Sequence, residues 1–181
     1  AKIMTYFVWV LAGTFLFVML YLDLFKHFIP NEAYWAGLQI VPILLIANIF
    51  LGIYYNQSVW YKLTDRTSFG AGLAIFGAVI TIVLNLLFIP MYGYLASAWV
   101  TLACYGSMMV VSYFLGQKYY PVPYQVGKLS GFLIAAVGLY GLSQVFNIPE
   151  GFVGWMLNIL FLLAYLGLSW FLLRPKSKPN T

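Results

Sequence analysis

The side chains that could carry out acid–base or metal chemistry are few in this chain of 181 residues. Its carboxylates are scattered along the sequence: Asp23, Glu32, Asp65 and Glu150. His27 is the single histidine and Cys104 the single cysteine, which excludes an internal disulfide and argues against a metal site built from protein ligands alone. The sequence shows no nucleophile–base pair, no paired carboxylates and no glycine-rich phosphate loop. We therefore expect no catalytic residue, no metal, no cofactor and no enzymatic activity.

The composition is that of a protein surrounded by lipid. Hydrophobic residues make up 64% of the chain and charged residues 7%, with a mean hydropathy of +0.91. Soluble domains have about 45–50% apolar and about 25% charged residues, so these few charges cannot cover a water-exposed surface. The net charge of +5 is too small for the dense basic face that nucleic-acid binding requires. The composition predicts an integral membrane protein and excludes a nucleic-acid partner.

Six uncharged apolar stretches are long enough to cross a bilayer, which takes about 20 helical residues. They are residues 3–22, 36–55, 69–89, 92–115, 129–148 and 152–173. The break between the third and fourth stretches depends on a predicted hairpin at Pro90 and Gly93, because no charge separates them. Continuous apolar runs favour helices over strands. We expect an all-α bundle of six transmembrane helices over residues 1–173, followed by a polar cytoplasmic tail, 174–181.

The basic residues are distributed unevenly between the two faces of this predicted bundle. Eight of the nine fall on the side of the termini, namely Lys2, Lys62, Arg66, Lys118, Lys128, Arg174, Lys176 and Lys178, and only Lys26 falls opposite. Short cytoplasmic loops are enriched in lysine and arginine. The distribution therefore predicts a multi-pass protein with both termini in the cytoplasm.

The polar residues within the predicted spans are neutral. Pro42 is predicted to interrupt the middle of the second span, and Gln39 and Asn48 flank it. A proline removes one backbone hydrogen bond and frees a carbonyl, which favours a polar lining nearby. We predict that Gln39 and Asn48 line a substrate cavity; the alternative is that each hydrogen-bonds to a neighbouring helix.

Small and aromatic residues predict how the helices pack and where they meet the membrane surface. Gly70, Ala74 and Ala78 recur at every fourth position, which is typical of a helix-packing face. Tyrosines and tryptophans, among them Trp60 and Tyr61, cluster where the spans end. We interpret them as an aromatic belt at the membrane interface.

Three segments between residues 54 and 124 resemble a known family. They are the loop 56–67 (NQSVWYKLTDRT), the hairpin with Asn85, Pro90 and Gly93, and the basic and aromatic loop 116–124 (GQKYYPVPY). Together they resemble the C-terminal part of bacterial polysaccharide flippases of the O-antigen type, members of the multidrug/oligosaccharidyl-lipid/polysaccharide exporter superfamily. Ala96-Ser97 stands where members often have Gly-Ala.

The resemblance implies that the chain is one six-helix lobe of a two-lobe transporter in the bacterial inner membrane. It implies alternating access that flips a lipid-linked oligosaccharide, an undecaprenyl diphosphate glycan, for polysaccharide biosynthesis and export. The expected partners are the N-terminal lobe of the same chain and a polysaccharide polymerase complex. Since the sequence starts with Ala1 directly before an apolar stretch, we also expect it to be part of a longer protein.

Lys62 and Arg66 lie on the predicted cytoplasmic loop, where the diphosphate headgroup would arrive, and are candidates to attract it. An alternative is that they only set the topology. Two other functions stay open: a multidrug or cation exporter of the same superfamily, and a non-transporting scaffold subunit of a polysaccharide synthase complex. A membrane-buried carboxylate elsewhere in the protein would favour the exporter.

Overall fold

The computed structural model describes residues 2–26, 32–146 and 152–173, and these are helical almost throughout. The helices are α1 Lys2–Leu20, α2 Leu22–Lys26, a 3-10 helix Glu32–Ile40, α3 Val41–Gln57, α4 Val59–Leu63, α5 Ser68–Tyr92, α6 Tyr94–Tyr119, α7 Val126–Val145 and α8 Phe152–Leu173. No strand occurs in these three ranges. The predicted tail 174–181, His27 and Glu150 lie outside the described residues.

Six helical segments are long and apolar enough to cross a membrane. They are Lys2–Leu20, Gly37–Leu63, Ser68–Tyr92, Tyr94–Tyr119, Val126–Val145 and Val153–Leu173. The prediction of an all-α, six-helix membrane protein is therefore confirmed, and the chain is a multi-pass membrane protein.

The chain forms two compact units. Unit 1 contains the 3-10 helix and α3 to α6, which follow one another in sequence. Unit 2 contains α1 and α2 together with α7 and α8, so it combines the two ends of the described chain.

In unit 1, α6 is the central helix and packs against both α3 and α5. Six of its seven buried residues recur every four positions: Ala96, Val100, Cys104, Met108, Ser112 and Gly116. Residues four apart share one helix face and form a ridge that fits into the groove of a neighbouring helix. By contrast, α5 has the highest mean hydropathy of the six, 2.5, yet buries few residues. Most of the surface of α5 is therefore left for contact with lipid.

In unit 2, α7 packs against α1 and α8, and side chains of α8 bond to the backbone of α1. The Asn158 amide donates to the carbonyl of Leu20 at 2.7 Å. Leu20 ends α1, so its carbonyl has no partner within its own helix. The Tyr165 hydroxyl donates to the carbonyl of Trp9, also at 2.7 Å. These bonds join segments that are far apart in the sequence.

The connection between α5 and α6 consists of Gly93 alone. Its φ of 61° and ψ of −146° lie in a region that only glycine adopts without strain. Its N–H donates to the carbonyl of Ile89 at 2.8 Å and closes the end of α5. Pro90 lies inside the last turns of α5 and not in the connection.

Pro42 also occupies a different place from the predicted one. The prediction of a break in the middle of the second span is wrong, because Pro42 lies in the first turn of α3, directly after the 3-10 helix. The N–H groups of a first turn have no intrahelical acceptor, so a proline there removes no hydrogen bond. Pro42 is the second residue of α3 and therefore lies at the start of the α-helix and not in its interior.

Candidate functional site

A turn at the end of α4 positions the first basic residue of the candidate site. Asp65 has a positive φ of 54°, and the next N–H, of Arg66, donates to the carbonyl of Tyr61 at 2.9 Å. A left-handed residue followed by a bond back to the last helical turn is a Schellman-type helix end. Aspartate tolerates this conformation better than most residues. The turn directs the chain back towards the C-terminal end of α6.

Two cations meet at the ring of Tyr119, at the end of α6. The guanidinium carbon of Arg66 lies 4.9 Å from the ring centroid and Nζ of Lys118 lies 5.6 Å from it. The indole of Trp60 stacks on the same ring with centroids 5.9 Å apart and an interplanar angle of 13°. Both cationic side chains are exposed. We call Trp60, Arg66, Lys118 and Tyr119 the cation–aromatic cluster.

Two glycines make room for the aromatic residues beneath this cluster. A Cβ atom at Gly116 would lie 3.1 Å from Cδ1 of Trp60, and one at Gly70 would lie 2.8 Å from Cε2 of Tyr61. Trp60 is 2% exposed and Tyr61 7% exposed. The prediction that they belong to an outward aromatic belt is therefore wrong. They are buried because α4 packs these rings against α5 and α6.

Polar atoms without a hydrogen-bond partner are buried at the same end of unit 1. They are Oε1 of Gln57, Nε1 of Trp60 and Oγ of Ser112. Ser112 lies one turn before Gly116 on the buried face of α6. Such groups are rare because each loses its hydration without compensation. This end of unit 1 therefore keeps unused hydrogen-bonding capacity beneath the cation–aromatic cluster.

The loop after α6 folds back onto unit 1. The Gln117 amide donates to the carbonyl of Val122 at 2.7 Å, and the ring of Tyr124 lies 6.2 Å from that of Tyr113. Burial raises the pKa of the Tyr124 phenol. Tyr124 therefore stays a neutral hydroxyl, and it adds no charge to the site at physiological pH.

A groove runs between α3 and α5, with α6 as its floor, and encloses about 360 Å³. One wall carries Tyr54 and Tyr55 of α3, the opposite wall carries Ala74 and Ala78 of α5, and Tyr105 of α6 lies between them. Ala74 and Ala78 are exposed to this α3–α5 groove. Of the predicted packing face on α5, only Gly70 is covered by another part of unit 1, the ring of Tyr61.

A second groove, of about 490 Å³, lies between α5 and α6 near Gly93 and is almost wholly apolar. Phe88, Leu95 and Trp99 line it. Such a surface suits contact with hydrocarbon and offers few polar groups that could orient a ligand, the hydroxyl-bearing Tyr92 among them.

The residues predicted for a substrate cavity lie away from both grooves. Gln39 is exposed on the 3-10 helix and Asn48 is exposed on α3. The Asn48 amide donates to the carbonyl of Leu44 in its own helix at 2.8 Å. Neither residue lines either groove. Their role as cavity residues stays a prediction.

The other predicted site residues fall into two groups. Lys62 is exposed on α4, four residues before Arg66, which is itself a member of the cation–aromatic cluster. Asn85, Pro90 and Gly93 belong to the second half of α5 and its end, and Oδ1 of Asn85 is buried without a partner. The structure therefore separates the hairpin residues from the basic residues along the length of α5.

Sequence reasoning did not select Lys118 and Tyr119 as site residues. A signal existed, because the predicted topology places loops 56–67 and 116–124 on the same face of the membrane, and each contains basic and aromatic residues. What the sequence did not reveal is that α6 packs directly against both α3 and α5, which brings the ends of these loops together.

The described residues contain no group of three or more His, Cys, Asp or Glu side chains that could hold a metal ion. Comparison with protein-family models, curated proteins and solved structures found no match for the chain. The fold and the site thus define a multi-pass helical membrane protein with a cation–aromatic cluster at one end of unit 1.

Proposed function

We propose that the chain forms the C-terminal lobe of a bacterial inner-membrane transporter that flips an undecaprenyl-diphosphate-linked oligosaccharide by alternating access. Both termini are cytoplasmic in this proposal, and the protein performs no covalent chemistry. An N-terminal lobe of the same chain completes the pathway, and a polysaccharide polymerase complex uses the flipped product. Support comes from the three segments that resemble O-antigen flippases and from the charges at one end of unit 1.

The observation that carries this proposal is the pair of exposed cations, Arg66 and Lys118, held over Tyr119. Guanidinium and ammonium groups bind phosphate oxygens through charge-assisted hydrogen bonds. Lys62 adds a third cation on α4. A diphosphate headgroup that approaches from the cytoplasm would be attracted to this end of unit 1.

The distribution of charge along the helices supports a neutral pathway. Within the six spans, the described residues carry charge only near helix ends, as at Lys2, Lys118 and Lys128. A hydrated glycan cannot enter hydrocarbon without losing its hydrogen bonds, which neutral amides and hydroxyls can replace. Gln39 and Asn48 are proposed to serve the glycan in this way, while an ion-coupling residue would lie elsewhere in the protein.

The test is a deletion of the gene in its source bacterium, followed by mass spectrometry of undecaprenyl-linked glycans. We expect a completed lipid-linked unit to accumulate and surface polysaccharide to be lost. Complementation with the wild type should restore both, and the double variant Arg66→Gln/Lys118→Gln should restore them poorly. Lys2→Gln, which removes an exposed cation of unit 2, serves as the matched control and should complement fully.

Unchanged lipid-linked glycans in the deletion strain would contradict the flippase and favour an exporter, which drug-sensitivity measurements would then reveal. A scaffold predicts a different pattern. For a scaffold, substitutions of Gln39 or Asn48 would be silent, whereas substitutions that disturb helix packing would abolish polysaccharide synthesis.

The proposed orientation has its own test. Cysteine accessibility or glycosylation tags should place Glu32 and Glu150 on the outer face of the inner membrane and Lys62 and Lys118 on its cytoplasmic face. A single position on the opposite face would overturn the assignment of both termini to the cytoplasm.

A further inference from the structure

We infer that unit 1 binds one lipid diphosphate, with the diphosphate on Arg66 and Lys118 and part of its hydrocarbon chain in the α3–α5 groove. This inference rests on the proposed function and deepens it, because it assigns the lipid portion of the substrate to a particular binding site. We call this site, made of Arg66, Lys118 and the α3–α5 groove, the seat. The seat lies wholly within unit 1.

The polar half of the seat matches a ligand that carries more than one negative charge. Arg66 and Lys118 converge on one ring, and both side chains are exposed. Cation–π contacts at exposed sites are weak compared with charge-assisted hydrogen bonds to phosphate. The two cations can therefore turn to a diphosphate without losing much interaction with Tyr119. A phosphodiester lipid offers a single charge and matches the pair less well.

The half of the seat for the hydrocarbon chain is the α3–α5 groove, whose lining is for the larger part apolar and also contains three tyrosines. Its volume of about 360 Å³ falls within the range of ordinary ligand pockets, about 300–1,000 Å³. Ala74 and Ala78 give one wall a smooth surface, and the rings of Tyr54 and Tyr55 form the other. A flexible hydrocarbon chain fits between such walls. Among the described residues, no helix occupies this groove.

The two halves adjoin at Tyr61. The ring of Tyr61 covers Gly70, which lies one turn before Ala74 on the same face of α5. The carbonyl of Tyr61 accepts the N–H of Arg66. Tyr61 also belongs to one buried cluster with Tyr54, which lines the groove, so it connects the groove with the turn that carries Arg66. The order of the parts, cations at the helix end and groove along the span, is that of an amphiphilic lipid in a membrane.

The experiment uses the full-length protein in detergent and titrates it with farnesyl diphosphate, a short lipid diphosphate. We expect this probe to bind at least about tenfold more tightly than farnesol or inorganic pyrophosphate, because each of these occupies only half of the seat. Nanodiscs that contain phosphatidylglycerol should not compete. Equal affinity for phosphatidylglycerol would overturn the inference in favour of a general anionic-lipid site.

Matched variants test each half of the seat. Arg66→Gln and Lys118→Gln should each weaken binding at least about fivefold, whereas Lys2→Gln should have no effect. Ala78→Leu fills the groove. It should weaken the binding of farnesyl diphosphate and leave the binding of pyrophosphate unchanged. Ala71→Leu, on an exposed position of α5 that does not line the groove, is its control. Unchanged binding in both Arg66→Gln and Ala78→Leu would overturn the inference.

The failure of this inference can be told from the failure of the proposed function. Seat-dependent binding of farnesyl diphosphate in a protein whose deletion leaves lipid-linked glycans unchanged would support the seat and contradict the flippase. If glycans accumulate in the deletion strain but Arg66→Gln and Ala78→Leu bind farnesyl diphosphate as the wild type does, the seat is overturned and the flippase is supported.

Discussion

Units 1 and 2 hold their helices together by different means. In unit 1 glycines receive large side chains of a neighbouring helix: Gly70 receives Tyr61, Gly77 receives Met108, Gly106 receives Phe50 and Gly116 receives Trp60. In unit 2 a glycine also receives a ring, as Gly13 receives Tyr165, but there N–H and O–H donors additionally reach the backbone of a distant segment, as Asn158 does at Leu20 and Tyr165 at Trp9. In unit 1 the corresponding bond between helices is the weaker one from the Cys104 thiol to the carbonyl of Gly77 at 3.3 Å.

The difference follows the order of the helices in the sequence. The helices of unit 1 follow one another, so the connection at Gly93 already holds α5 beside α6 and close packing is sufficient. Unit 2 must select α1 from the far end of the chain as the partner of α7 and α8. Apolar contact in lipid is not selective, whereas a hydrogen bond to a helix-terminal carbonyl needs one particular register. Polar contacts thus specify the pairing that chain connectivity does not.

The largest effect is expected where unit 1 has no space. Gly70→Leu should lower the free energy of unfolding by about 2–3 kcal/mol, because the rigid ring of Tyr61 occupies the position of the new side chain. Gly72→Leu, two residues away with no neighbouring atom within 4 Å, should not destabilise the protein. Chemical unfolding in detergent measures both. Equal losses of stability in Gly70→Leu and Gly72→Leu would show that the close packing at Gly70 does not hold unit 1 together.

A smaller effect is expected at the α5–α6 connection. Gly93→Ala meets no atom within 4 Å, so its cost is backbone strain alone, about 2 kcal/mol. Gly138→Ala in α7 of unit 2 also enters open space, and there alanine should stabilise the helix by up to about 1 kcal/mol. Thermal unfolding of the two variants should shift in opposite directions. A neutral Gly93→Ala would mean that this connection relaxes freely.

Substitutions of one asparagine in each unit allow a direct comparison of the two units. Asn158→Leu should cost about 1 kcal/mol, because the carbonyl of Leu20 loses its partner. Asn85→Leu in unit 1 should be neutral or stabilising, because Oδ1 of Asn85 is buried without a partner. Unfolding in detergent measures the stability of each variant, and flippase activity is measured separately. Destabilisation by Asn85→Leu would show that unit 1 also depends on a polar contact.

The smallest effect is expected at Tyr165. Tyr165→Phe removes the bond to the carbonyl of Trp9 and keeps the ring beside Gly13, so we expect a loss of about 0.6 kcal/mol. Tyr6→Phe, at a mostly exposed position of α1, is the control and should be silent. A double variant with Asn158→Leu should lose the sum of the two effects if the bonds act independently.

The six helices could be predicted from the sequence because the thickness of the hydrocarbon layer sets their length, and charges, or Pro90 and Gly93 between the third and the fourth, mark their ends. Their pairing could not. The every-fourth-residue pattern on α5 suggested one packing face, but Ala74 and Ala78 face a groove while Gly70 is covered. Hydropathy records that a residue avoids water and does not record whether protein or lipid surrounds it.

The candidate site could be predicted in part for a similar reason. The charges of Lys62 and Arg66 indicate a loop, but the approach to Lys118 depends on the positive φ of Asp65 and on the position of α6. For Asn48, the sequence shows a polar residue in a span. It does not show that the amide bonds to the helix's own backbone, which removes part of the reason to expect a cavity around it.

The pairing of α1 with α7 and α8 also determines the order in which the two units can assemble during biosynthesis. α1 ends at Leu20 and α7 begins at Val126, so about 100 residues are translated between them. At about 5–20 residues per second, the ribosome needs roughly 5–20 s to produce them. During this interval the carbonyl of Leu20 lacks its partner Asn158, and α1 stays in the membrane without α7 and α8. Unit 1 can assemble within this interval, so we expect insertion intermediates in which unit 1 is folded and α1 is not yet paired with α7 and α8.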